Sequence, residues 1–166
     1  MTNQEAANLH RQIRRWIIFF IIALAVSGIT AFPIESELRW GLSQHYMIPS
    51  FMEGFLQNVF AGVKNTNRQY PFIVYGSDWL AFAHLVIAMA FIGPYRDPVR
   101  NKWVIEWAIL ACIAVIPLAL IAGPIRQIPF YWRMIDCSFG IFGIFPLLIL
   151  WNKINKLEKI GATHKS

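Results

Sequence analysis

Charge is scarce in this chain. Asp, Glu, Lys and Arg make up 14% of its 166 residues, apolar types make up 57%, and mean hydropathy is +0.47. A soluble globular domain carries roughly 25% charged residues, so this composition excludes one and points to a membrane protein. The chain also lacks internal repeats, low-complexity tracts and any polar stretch long enough for a separate soluble domain. One integral membrane domain is therefore expected over residues 1–166. Absent too is a basic, aromatic-interleaved soluble patch, which argues against a nucleic-acid partner despite the net charge of +6.

Four apolar segments are long enough to cross a bilayer, which takes roughly 17 to 25 residues as a helix: Trp16–Phe32, Phe72–Gly93, Trp103–Gly123 and Met134–Trp151. The expected fold is all-α, an antiparallel four-helix transmembrane bundle. Cations set its orientation, because Lys and Arg in short flanking segments resist translocation. Arg11, Arg14 and Arg15 precede the first span, Arg96, Arg100 and Lys102 separate the second and third, and Lys153, Lys156, Lys159 and Lys165 follow the fourth. Both termini are thus expected in the cytoplasm. Membrane lipids, and a partner membrane protein or further copies of the chain, are the expected partners. The first apolar run is long and "SGITAFP" lacks a good small-x-small pattern, so it reads as an uncleaved anchor.

The first outer loop, Pro33–Pro71, holds more. Phe51, Met52, Phe55, Leu56, Val59, Phe60 and Val63 recur at steps that place them on one face of a helix over about residues 49–64. Pro49 suits its first turn. That helix is expected in the outer interface or over the bundle, with a shorter amphipathic piece at Ile34–Leu42 before it.

Cysteine and deep histidine are also sparse. Cys112 lies about 16 Å below the outer end of its span and Cys137 about 5 Å below its own, too far apart in depth for a disulfide. Cys112 shares a small-residue stripe with Ala108, Ala119 and Ala122, which predicts close packing near Pro117. No CxxC pair exists, which argues against the four-helix quinone-linked disulfide-forming enzymes. No metal site and no cofactor are expected.

Ionisable residues within apolar helices are functional candidates by default. Asp78 sits near the outer end of the second span, where Ser77 is a candidate cap and an acid in a first turn suits the helix dipole. His84 lies about 9 Å deeper and roughly 240° around the helix, so the two do not form a local dyad. His84 shares a small-residue stripe with Ser77, Ala81, Ala88 and Phe91, which turns it toward the bundle, with Cys112 or the Gly140–Gly143 stretch as expected neighbours. Asp78, Arg126, Arg133 and Asp136 can share one outer layer, either as structural ion pairs or as a ligand site. Tyr75, Trp79, Tyr131 and Trp132 accompany that layer, although such residues also form ordinary interfacial belts. Glu106 is expected to snorkel or meet Lys102.

Two resemblances follow. "HRQIRRWIIFFIIALAVSGITAFP" and "WLAFAHLVIAM" superficially resemble the start of four-helix membrane b-type cytochromes; those hold haem with paired histidines, whereas only His84 is deep here and His10, His45 and His164 lie outside the spans. "SGITAFPIESEL", "YGSDWLAFAHLVIAMAFIGPYRDPVRNKWVIE" and "IAGPIRQIPFYWRMIDCSFG" resemble an uncharacterised family of small bacterial four-span inner-membrane proteins. That resemblance implies the bacterial inner membrane and supplies no reaction. The expected function is an accessory or ligand- and lipid-binding membrane component. The rival is an enzyme acting on a lipid or amphiphile through the outer Asp/Arg cluster, with an oligomeric transporter and a b-type haem protein ranked below it.

Overall fold

The structure is a computed structural model that describes residues 3–44 and 48–163; His45, His164 and Lys165 fall outside them. The described residues form seven helices and no strand: α1 (Asn3–Ala31), α2 (Ile34–Ser43), α3 (Ser50–Gln69), α4 (Pro71–Ala90), α5 (Ile92–Arg96), α6 (Lys102–Ile125) and α7 (Phe130–Thr163). Four helical stretches are long and apolar enough to cross a membrane: Gln4–Ala31, Pro71–Arg96, Lys102–Ile125 and Phe130–Gly161. Each expected span lies within or overlaps one of them. The chain divides into two compact parts, Ile22–Ala88 and the residues on either side of it.

In the part built from both chain ends, α6 and α7 form a hairpin. Proline marks its corner at Pro124 and Pro129, and the turn closes as a Schellman motif: Ile128 N–H donates to the Gly123 carbonyl at 2.9 Å and Gln127 N–H to that of Pro124 at 3.0 Å. Gln127 takes the left-handed conformation this motif needs, with φ of 57°. Successive contacts run in opposite senses along the arms, from Gly123 against Arg133, through Cys112 against Gly140 and Gly143, to Lys102 near Glu158. The two glycines let the helices approach closely: a Cβ on Gly140 would lie 2.5 Å from the Cys112 carbonyl oxygen. α6 continues through Pro117.

The ends of α1 and α7 extend well past their apolar runs, for a packing reason. Leu9, Ile13 and Ile17 of α1, Ile105 of α6, and Leu147, Leu150, Ile154 and Leu157 of α7 are all buried at helical spacings. Apolarity alone stops at the charged residues, but these stripes carry the helices onward while their polar residues face out. Lys153 donates to Gln12 at 2.5 Å. Arg14 lies 5.3 Å from the centre of the Tyr95 ring, and Phe20 stacks on Phe91 at 5.5 Å. The link from α5 to α6 is tied by Asn101, whose side-chain amide donates to the Gly93 and Asp97 carbonyls at 3.2 and 2.9 Å. Glu106 does meet Lys102, at 4.0 Å, and also accepts from Trp151 Nε1 at 3.1 Å.

In the part Ile22–Ala88, α2 and α3 realise the expected amphipathic pieces, although α3 continues to Gln69. Pro49 immediately precedes α3 with φ of −58°, rather than lying in its first turn. Asn67 donates to Glu35 Oε2 at 3.0 Å and Arg39 to Glu35 Oε1 at 2.7 Å, joining α3 to α2. Pro71 opens α4, where its missing N–H costs nothing.

Candidate functional site

Asp78 and His84 both lie on α4, within the part Ile22–Ala88. The expectation that Ser77 caps a helix with Asp78 in its first turn is corrected: α4 already begins at Pro71, so Asp78 is in the third turn. Its backbone neighbours are engaged in the helix ladder, and no free N–H of a helix terminus is available to its carboxylate. Among the described residues Asp78 makes no hydrogen bond or ion pair.

What surrounds Asp78 is aromatic. It is half-buried and lines an open recess of about 220 Å3 with Phe32, Tyr75, Trp79 and Phe82. Tyr75 and Trp79 meet edge-on at 6.1 Å and 81°, and Trp79 and Phe82 at 6.2 Å and 87°. Phe32 arrives from the end of α1 because of Gly28. A Cβ on Gly28 would lie 2.8 Å from the Ala81 carbonyl oxygen and 3.1 Å from both His84 Cβ and Leu85 Cδ2, so only glycine permits this approach. Four residues beyond Gly28, Phe32 reaches the level of Asp78. Sequence reasoning missed Phe32 and Gly28, although Ala25 and Gly28 at a step of three are a small-residue signal for close helix packing.

His84 is half-buried, and its stripe is buried at Ala81 and Ala88. The glycine beside it is Gly28 of α1, while the expected neighbours Cys112 and Gly140–Gly143 belong to the other part of the chain. His84 Nδ1 is 2.9 Å from the Leu80 carbonyl, so Nδ1–H donates and a neutral ring keeps its lone pair on Nε2.

Arg126, Arg133 and Asp136 belong to the other part. Arg126 is exposed at the α6 C-terminus. The Arg133 side chain lies across Gly123, where a Cβ would fall 2.7 Å from Arg133 Cγ, and its guanidinium sits 5.3 Å from the centre of the Phe130 ring. Arg133 Nε is buried with no hydrogen-bond partner among the described residues. Asp136 is half-buried, and no ion pair joins it to Arg126 or Arg133 among the described residues. Cys112 and Cys137 are free thiols. Among the described residues Arg126, Arg133 and Asp136 form no acid–arginine pair, whereas the Asp78 recess combines an acid with a shaped wall.

No known protein family, curated protein or solved structure matches this chain. The chemistry of the recess is what carries a functional reading.

Proposed function

We propose that this chain is a multi-pass protein of the bacterial inner membrane, an antiparallel four-span bundle with both termini in the cytoplasm, and that it binds a lipid or lipid-like amphiphile in the Asp78 recess as an accessory component. Support for the membrane setting comes from four helices of sufficient length and apolarity, and from large apolar residues exposed along them, such as Leu80, Leu118 and Phe142 at 64, 64 and 73%. The orientation rests on the cations gathered at the two chain ends and between α5 and α6. One observation carries the binding reading: an acid with no partner among the described residues, set among four aromatic side chains and open to the surface.

Native mass spectrometry of the gently purified full chain tests this reading. A lipid-mass adduct that weakens in Trp79→Leu supports it; an adduct-free protein that stays folded counts against it. Impermeant thiol labelling on intact cells tests the orientation, with new cysteines expected to react at Asn65 and to stay protected at Asn101 and Asn155.

A further inference from the structure

Resting on that reading, and naming the ligand's chemistry, we infer that the recess of Phe32, Tyr75, Asp78, Trp79 and Phe82 holds the ammonium headgroup of a membrane amphiphile, as in an aminophospholipid. Charge is the first argument. A carboxylate on an apolar helix requires a counter-charge or hydrogen-bond donors, and Asp78 has neither among the described residues. A partner from outside the chain is left to supply one or the other, and a cation supplies both when it is an ammonium group.

Ring chemistry narrows which cation. Ring faces attract organic ammonium groups, and the near-perpendicular steps from Tyr75 to Trp79 to Phe82 turn successive faces in different directions along the wall. An interfacial belt accounts for Tyr75 and Trp79 but not for an acid set among them. A divalent metal ion needs several oxygen ligands, and no group of three or more acidic, histidine or cysteine side chains occurs among the described residues.

Size and setting point to a lipid-borne group. At about 220 Å3 the recess is below the roughly 300 Å3 at which sites for drug-sized molecules begin, so it suits a headgroup and not a whole lipid. Asp78 lies about 10 Å along α4 from Pro71 at roughly 1.5 Å per residue. The aromatic side chains around Asp78 are themselves exposed, Tyr75 and Trp79 at 58% and Phe82 at 45%, so acyl chains have an apolar wall to lie against.

The test uses the full chain in maltoside micelles, with thermal unfolding as readout. Dioctanoyl phosphatidylethanolamine, its N-acetylated derivative, dioctanoyl phosphatidylglycerol and soluble phosphoethanolamine are titrated separately. The aminolipid should bind at least about tenfold more tightly than the N-acetylated lipid, in which a neutral amide replaces the ammonium, and Asp78→Asn should erase that difference while Asp78→Glu retains part of it. The N-acetyl comparison is made on the wild-type protein, so it decides the matter even where a variant fails to fold. Equal binding of all three lipids would overturn the ammonium inference and leave amphiphile binding intact. Soluble phosphoethanolamine binding as tightly as the lipid would overturn the lipid-borne source. No lipid effect on the wild type, with no adduct in native mass spectra, would overturn both this inference and the amphiphile binding on which it rests.

Discussion

Gly28 and His84 meet where α1 crosses α4, with the His84 Cβ 3.1 Å from where a Gly28 Cβ would stand. The Ala81 carbonyl, at 2.8 Å from the same point, is backbone and has little freedom to yield. In an exposed helix Gly→Ala gains up to about 1 kcal/mol, but overpacking of this kind costs about 1–3 kcal/mol, so the clash should win. Gly28→Ala is expected to lower the unfolding temperature in detergent and to weaken binding at the recess, since it displaces Phe32. His84→Leu should cost less, about 0.5–1 kcal/mol, because helix geometry already pairs the Leu80 carbonyl with the His84 backbone N–H. His84→Gln, which keeps a donor, should be milder still. A Gly28→Ala protein as stable as wild type would show that the two helices do not cross this closely.

The hairpin of α6 and α7 offers a sharper contrast. A Cβ at Gly140 meets the Cys112 carbonyl oxygen at 2.5 Å, whereas one at Gly143 meets Cys112 Sγ at 3.0 Å. Gly140→Ala should therefore destabilise by about 1–3 kcal/mol whatever side chain stands at position 112. Gly143→Ala should be relieved by Cys112→Ala, with a coupling of about 0.5 kcal/mol or more in a double-mutant cycle read by thermal unfolding. Equal rescue of both glycine variants would show that backbone contact does not limit the approach.

Hydropathy located α4 and α6 closely because their apolar runs and helices nearly coincide. It stopped short on α1 and α7, where Leu9, Ile13, Ile154 and Leu157 continue the buried stripe among charged residues that a spanning criterion rejects. Asp78 was legible as an acid in an apolar helix, but its setting was misjudged because Pro71, and not Ser77, supplies the helix start. The recess itself was not legible. Phe32 belongs to it only through a close helix approach that depends on Gly28, and the small pair Ala25 and Gly28 signals close packing without naming the partner helix.

Glu35 gives a pH prediction outside the spanning segments. The hydrogen bond from Asn67, followed by that from Arg39 and the charges of Arg39 and Lys64, outweighs desolvation and holds the carboxyl below its ordinary value of 4.5. A depressed folded value stabilises the charged form, so the contribution is present above about pH 4.5 and is lost as pH falls through the folded value. An NMR titration of the Glu35 carboxyl should place its midpoint below the ordinary 4.5, and Asn67→Ala should move it upward. A midpoint unmoved by Asn67→Ala would contradict the link between α2 and α3.

Lipid binding at Asp78 is open to direct capture from inside the recess. A benzoyl-phenylalanine photocrosslinker is placed at Phe82, which lines the recess, or at Phe139, which is 69% exposed on α7, and cells are irradiated before purification and mass analysis. A recess that holds a headgroup should give a discrete phospholipid adduct at position 82 in clear excess over position 139, falling to the position 139 level when Asp78→Asn is added. Equal, unselective lipid capture at both positions in the wild-type background would contradict that occupancy, since position 82 would then face bulk lipid and the recess would hold no ligand.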